Sequence, residues 1–159
     1  MCMPRQEKSD AYDSVDFDQN FRENPSNYVI GRGEFGVLMV QPYKSEILPH
    51  WKYKNESVAV ESAEKIESLF HEYLKKDDLP GADMARKYLQ MGFTRAMRYA
   101  KYPGGKKYNE DGSEKTAHGP DTTGEWYDED KRKAAVVFRK AWERVRENGK
   151  YVSLKEQHR

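Results

Sequence analysis

The sequence has one cysteine and no long hydrophobic run. Cys2 is the only thiol among 159 residues, which excludes an intramolecular disulfide and a cysteine-rich zinc site. No apolar stretch approaches the roughly 18 residues of a membrane helix, and the N-terminus lacks the apolar segment of a signal peptide. We therefore expect a soluble, cytoplasmic protein without a membrane partner.

Hydrophobic residues are also scarce, at 36%, whereas charged residues reach 35%. Globular proteins usually carry about 25% charged residues. Aromatic residues, at 13%, are numerous enough to argue against a wholly disordered chain. The net charge of only +1 excludes a general polycation, so any binding of nucleic acid must depend on local charge.

Composition divides the chain into a single domain with two tails. Residues 1–18 are polar and acidic and predict a mobile tail. Residues 19–151 carry the apolar patterns of one domain, and residues 152–159 form a C-terminal tail.

The first patterned stretch, residues 28–43, favours β-structure. Two runs rich in β-formers flank a glycine-rich connector, Gly31 to Gly36, which is typical of a hairpin. Val37 to Val40 form an unbroken apolar run, and Pro42 ends it. We predict an α+β fold, in which an N-terminal β-hairpin or small sheet precedes three principal helices.

Those helices follow from apolar residues spaced at helical intervals. The first covers about residues 55–76, with Asn55 or Ser57 as its cap; the second covers 81–102, with Asp78 as its cap. The third covers 129–147 and is capped by Asp128.

The second helix has a basic outer face. At 100° per residue, Lys87, Arg98 and Lys101 fall within about 60° of each other, opposite an apolar face that contains Gly92. From Ala82 to Lys107 there are seven basic residues against one acidic residue, a local charge of +6. Because the whole chain carries only +1, charge is strongly segregated.

Clustered cations beside aromatic rings are typical of phosphate and single-strand binding. Tyr102 and Tyr108 alternate with the lysines after this helix. Our leading hypothesis is a nucleic-acid- or polyanion-binding domain, with DNA or RNA as partner. Its predicted contacts are Lys87, Arg95, Arg98, Lys101, Lys106 and Lys107, with Arg32 and Lys44 as secondary contacts.

The connector Gly31 to Gly36 matches the letters G-x-G-x-x-G, yet the context fits neither nucleotide-binding motif. The dinucleotide motif requires a helix after the glycines, whereas Val37 to Val40 favour a strand. A kinase would need a lysine where this chain has Glu61, along with H-R-D and D-F-G motifs that are absent. Glycines required by a tight turn explain the pattern better.

A second hypothesis is a small enzyme acting on a phosphorylated or nucleotide-like substrate. Glu34, Glu46 and His50 are the acid–base candidates, in a cleft that Arg32 and Lys44 would complete. The four histidines are scattered, with no spacing that predicts a metal site, and we expect no cofactor. A third hypothesis is a protein-interaction module that uses the loop after the second helix.

Four strings resemble a small family known as a domain of unknown function. They are Gly31 to Leu38, Pro42 to Trp51, Gly81 to Lys87 and Met91 to Ala96. The resemblance covers about residues 17–151 and supports one domain. It implies no activity, cofactor or catalytic residue.

Overall fold

The computed structural model describes residues 15–31, 34 and 36–158, and this part of the chain is helical. It contains five α-helices and three short 3-10 turns, with isolated bridges but no sheet. Our prediction of an α+β fold is therefore wrong. The helices are α1 (Tyr43–Ile47), α2 (Glu56–Lys75), α3 (Leu79–Lys101), α4 (Glu129–Arg146) and α5 (Gly149–His158). None of these helices is both long and apolar enough to cross a membrane.

The segment predicted as a β-hairpin forms turns instead. Val37 and Val40 are buried, whereas Leu38 and Met39 are 43% and 48% exposed. Buried residues three positions apart belong to a turn or a helix, because a strand would alternate its side chains every two residues. The apolar run therefore covers the core from one side only, and it has no partner strand in the described residues.

Parts of two predictions lie outside the described residues. The predicted acidic tail covers residues 1–18, of which the structure describes Val15 onwards. Val15 and Phe17 pack against the core, so the described end of this segment belongs to the folded domain. In the glycine connector, Arg32, Gly33 and Phe35 are outside the described residues.

The three predicted principal helices are confirmed, with their caps. The side chains of Asn55, Asp78 and Asp128 each accept a hydrogen bond from the backbone N–H three residues further on, at 3.0, 3.2 and 3.1 Å. Each cap satisfies a donor that the first helical turn leaves unpaired. These short polar residues therefore fix where α2, α3 and α4 begin.

Helix α3 lies at the centre of the domain. Every residue from Leu79 to Leu89 is buried, and α3 packs against α1, α2, α4 and α5. The three-residue turn 76–78 makes α2 and α3 an antiparallel pair, and α4 lies against both. Only the C-terminal half of α3 has side chains that reach the surface.

The C-terminal residues form a helix where the sequence favoured a tail. Helix α5 carries one fully buried side chain, Tyr151, and a partly buried Leu154. At its end, His158 Nε2 lies 2.6 Å from the carbonyl oxygen of Tyr28. Because so few apolar residues mark it, its apolar periodicity was too weak to predict a helix.

The contact between α3 and α4 depends on a glycine. A Cβ atom built on Gly92 would lie within 3.0 Å of the Phe138 ring, which is itself buried. Real Cβ atoms do not approach other carbon atoms so closely. The absence of a side chain at Gly92 therefore sets how near the two helices come.

Replacement of Gly92 by alanine is expected to destabilise the protein. Overpacking of a filled core typically costs about 1–3 kcal/mol, and the better helix propensity of alanine recovers about 1 kcal/mol. Urea unfolding should show a net loss of stability for Gly92→Ala. The matched control is Gly149→Ala, where nothing lies within 4 Å of the added Cβ; equal losses in both variants would contradict the packing argument.

Candidate functional site

The connector before α2 is fastened to the core by three hydrogen bonds. The indole N–H of Trp51 donates to the carbonyl of Tyr88 in α3 at 3.0 Å. The backbone N–H of Lys52 donates to the hydroxyl of Ser62 at 3.0 Å, and this hydroxyl donates to the carbonyl of His50 at 2.7 Å. Residues 51–54 therefore have a fixed position beside α3.

Exposure alternates along this connector. Trp51 and Tyr53 are half-buried, whereas Lys52 and Lys54 are exposed. An extended backbone points successive side chains in opposite directions. The aromatic rings consequently face the protein while the two ammonium groups face solvent.

Aromatic rings continue from the connector onto α3. The rings of Trp51 and Tyr53 are 4.9 Å apart between centroids, and those of Tyr53 and Tyr99 are 6.0 Å apart. Trp51 also meets Tyr88 edge-on at 6.2 Å. These separations lie within the range of favourable aromatic pairs, so the rings form one connected row.

Lys131, in the first turn of α4, contacts this row of rings. Its ammonium donates to the carbonyls of Tyr53 and Lys54, at 3.3 and 3.0 Å. It also lies 5.3 Å from the Tyr53 ring and 5.8 Å from the Tyr99 ring. A cation within about 6 Å of a ring centroid is attracted to the aromatic face. Lys131 thus joins α4 to the connector and α3.

Arg95 and Arg98 lie near the same row, on the accessible part of α3. Arg95 is half-buried and Arg98 is exposed. Burial raises the pKa of the Tyr53 hydroxyl and Tyr99 raises it further, while the charges of Arg95 and Arg98 oppose this rise. Both guanidinium groups are therefore within electrostatic reach of Tyr53.

The described part of the chain provides neither arginine with a carboxylate partner. Among the residues that the structure describes, no acidic side chain lies within ion-pair distance of Arg95 or Arg98. We call the following set the aromatic–basic surface: Lys52, Tyr53, Lys54, Arg95, Arg98 and Tyr99.

The other cations predicted after Arg98 have different surroundings. Lys101 is half-buried, and Lys106 is exposed. Lys107 forms an ion pair with Glu114 at 3.2 Å, and its ammonium lies 5.7 Å from the Tyr108 ring. The charge of Lys107 is therefore partly neutralised, which weakens its attraction for an anionic ligand.

Lys87 does not lie on the exposed face of α3, so our prediction that it faces outward is wrong. Its side chain is 1% exposed, and its ammonium lies 3.9 Å from a carboxylate oxygen of Asp83. The ammonium is also 5.5 Å from the Tyr28 ring. The N-terminal segment that carries Tyr28 covers this part of α3, which helical projection alone could not reveal.

Lys87 belongs to a buried polar cluster centred on Asp83. Arg86 donates to this carboxylate at 2.7 Å, and the hydroxyl of Tyr151 donates to it at 2.6 Å. The hydroxyl of Tyr28 is a third donor. One buried carboxylate thereby joins α3, α5 and the N-terminal segment.

The pKa values within the cluster reflect burial and charge together. Burial alone would raise the pKa of Asp83, but the charges of Arg86 and Lys87 outweigh it and the pKa is lowered. Burial lowers the pKa of Lys87 to about 8, even though Asp83 opposes that change. Burial, with Asp83 beside it, raises the pKa of Tyr28. These directions favour an ionised Asp83 and a protonated Tyr28 at neutral pH.

The predicted acid–base candidates have separate partners. Thr94 donates to the carboxylate of Glu34, near the C-terminal half of α3. Glu46 accepts two hydrogen bonds from Arg22, at 2.6 and 2.9 Å, and Arg22 also reaches Asp78 at the start of α3. Asp78 and Thr94 are about 24 Å apart along the helix. Glu34 and Glu46 therefore do not share a cleft.

The carboxylate of Glu46 also accepts a hydrogen bond from a second residue. The hydroxyl of Tyr73 donates to it at 2.7 Å. Its hydrogen bond with Arg22 lowers the pKa of Glu46, which favours an ion-paired carboxylate over a proton-transfer group. His50 is exposed and Lys44 is half-buried.

No hydrogen bond or ion pair joins Glu34, Glu46 and His50 in the described part of the chain. Nor do the described residues include a group of three or more His, Cys, Asp or Glu side chains arranged to hold a metal ion.

Sequence reasoning missed Tyr53, Tyr99 and Lys131 as members of this site. The alternation Lys52-Tyr53-Lys54 was a usable signal, since it places cations at both sides of a ring. Lys131 and Tyr53 are 78 residues apart in the sequence, so no local sequence pattern predicts their contact.

Loss of the Asp83 charge is expected to destabilise the fold strongly. Removing one partner of a buried ion pair costs about 3–5 kcal/mol, so Asp83→Asn should lower the free energy of unfolding at pH 7 by about that amount. Asp77→Asn is the control, because Asp77 is an exposed partner of Lys150 and asparagine tolerates its positive φ of 53°.

The same substitution should change the dependence of stability on pH. Folding lowers the pKa of Asp83 from its ordinary 3.8, so its contribution is complete above that value and is lost as pH falls through the folded pKa. Chemical unfolding at pH 3 and pH 7 should show a smaller acid loss in Asp83→Asn than in the wild type. An unchanged loss would contradict this assignment.

Comparison with known proteins places the chain in a family. No curated protein and no solved structure matches it. The profile of the family described as "Domain of unknown function (DUF4385)" matches residues 11–159, which confirms the resemblance seen in the sequence. The chain therefore belongs to this family of domains of unknown function.

Proposed function

We propose that the protein binds nucleic acid or a similar polyanion through the aromatic–basic surface. The observation that carries the proposal is the pair Arg95 and Arg98, which have no acidic partner among the described residues and lie within electrostatic reach of Tyr53, whose ring neighbours that of Tyr99. Guanidinium groups left unpaired at a surface are available to phosphate oxygens.

The position of the two arginines on α3 supports this use. Residues three apart on a helix are neighbours on one face, so both guanidinium groups can contact adjacent phosphates of one strand. Lys52 and Lys54 add two exposed ammonium groups from the connector. Lys106, exposed after the end of α3, extends the positive charge into the following loop.

Two acidic residues at the start of α4 are engaged elsewhere. Asp128 accepts the backbone N–H of Lys131 as the cap of α4. Glu129 forms an ion pair with Arg132. Neither carboxylate is paired with Arg95 or Arg98, so neither cancels the charge of these two guanidinium groups.

Lys87 and Arg86 are left out of the proposed interface. Both are buried in the Asp83 cluster, so their role is structural. On α3, the surface is accordingly smaller than the basic face predicted from the sequence. The connector adds residues to it on one side, and α4 bounds it.

Charge reversal at the two arginines should abolish most of the binding. Fluorescence anisotropy with labelled single-stranded DNA, single-stranded RNA and duplex DNA, across a salt series, should show wild-type affinity falling linearly on a log–log scale as salt rises. Arg95→Glu/Arg98→Glu should weaken binding by about tenfold or more at low salt, because two phosphate contacts become repulsive.

The matched control is Lys75→Glu/Lys76→Glu. It makes the same change in net charge on two exposed residues at the end of α2, which are roughly 25 Å from Arg95 along α3. Its affinity should stay close to that of the wild type. Absence of binding at low salt, or an equal loss in this control, would refute the proposal.

A further inference from the structure

We propose that the open pocket beside Tyr53 and Tyr99 holds the base of one nucleotide, so that the protein binds single-stranded rather than duplex nucleic acid. This inference rests on the proposed function and deepens it by naming the ligand unit, a base joined to a phosphate. It draws on the shape and lining of the pocket, which the charge argument does not use.

The pocket is formed where three elements meet. It has a volume of about 490 Å³ and is broadly open to solvent. Its lining combines the connector, the first turn of α2 through Val58, the C-terminal part of α3 through Tyr99 and the start of α4 through Lys131. The surface that it exposes is mostly apolar, which suits a flat aromatic ligand.

The rings and the lysines that line this pocket differ in exposure to solvent. Tyr53 and Tyr99 are half-buried and form its floor, while Lys52 and Lys54 are exposed at its rim. A base placed against the floor would therefore leave its phosphate near the rim ammonium groups. Stacking on aromatic side chains and contact with surrounding cations is the usual way of binding a single strand.

Lys131 has a positioning role here. Two of its donors are used by the carbonyls of Tyr53 and Lys54, so it fixes the rim and the ring rather than reaching out to a phosphate. Its charge also lies against both tyrosine rings. The rings are consequently held in place before a ligand arrives.

A base inside a duplex would have to leave its stack to lie against this floor. Its faces are covered by neighbouring base pairs, and extraction from the stack costs a few kcal/mol. A single strand presents unstacked bases at much lower cost. The half-buried position of Tyr53 and Tyr99 therefore favours single strands over duplexes of the same charge.

The test uses two pocket variants and two polyanions. Tyr53→Leu removes the aromatic floor while keeping an apolar side chain, and Val58→Trp fills the pocket; neither changes any charge. The probes are a single-stranded 12-nucleotide oligomer containing 2-aminopurine, whose fluorescence reports stacking, and inorganic polyphosphate of equal charge, which has no base. Circular dichroism confirms that each variant is folded.

The wild type should bind the oligomer more tightly than polyphosphate and more tightly than a duplex of the same sequence, with quenching of 2-aminopurine. Both variants should lose about tenfold or more in affinity for the oligomer and bind polyphosphate as the wild type does. Adenosine monophosphate, tested separately, distinguishes the source of the unit: tight binding of the mononucleotide alone would assign the pocket to a free nucleotide.

Two results would overturn the inference, and they differ in what they imply for the proposed function. If both variants bind the oligomer like the wild type while Arg95→Glu/Arg98→Glu does not, the pocket is not used and the surface binds phosphate alone. If neither the oligomer nor polyphosphate binds to the wild type at low salt, the proposed function fails as well.

Discussion

The structure depends on the close contact of α3 with its neighbours. Gly92 leaves the space that the Phe138 ring fills, so α4 can approach the backbone of α3. Near the other end of α3, Gly81 plays the same part, since a Cβ atom there would lie 2.6 Å from the ring of Tyr73. A helix surrounded this closely must bury whatever side chains its sequence contains, charged ones included. The polar cluster around Asp83 is the consequence, because buried charges are tolerated when they are paired and hydrogen-bonded.

This burial divides the basic residues of α3 into two groups with different roles. Arg86 and Lys87 lie in the half of the helix that is covered on all sides, and Asp83 is their shared counter-charge. Arg95 and Arg98 lie beyond the covered half and have no such counter-charge among the described residues. One helix therefore carries both a structural set and an accessible set of cations, and the sequence alone lists them without distinction. Only the accessible set belongs in an argument about ligands.

The parts of the fold that the sequence predicted are those fixed by local physics. Helical spacing and the caps Asn55, Asp78 and Asp128 depend on residues within one turn of each other, so α2, α3 and α4 could be located. The hairpin failed because Val37 and Val40 are buried three positions apart, a choice imposed by the surface they cover. Likewise, Lys87 projects from α3 as the helical wheel predicts, but residues far away in the chain cover it. Half of the site was visible for the same reason: Arg95 and Arg98 could be identified from charge, whereas their partner rings and Lys131 could not.

What distinguishes the aromatic–basic surface from an ordinary charged helix face is that its aromatic part is ordered in advance. Freely rotating lysines lose entropy when they contact a ligand, and that loss reduces affinity. Here the ring of Tyr53 packs against the rings of Trp51 and Tyr99, and the connector carbonyls are fixed by Lys131. The entropy of ordering these groups has therefore already been lost on folding, before a ligand binds. A solvated helix face needs no such fixing, since its charges serve solubility in any rotamer. The contacts of Lys131 therefore argue for a surface shaped to receive a ligand, with the aromatic rings as important to it as the charges.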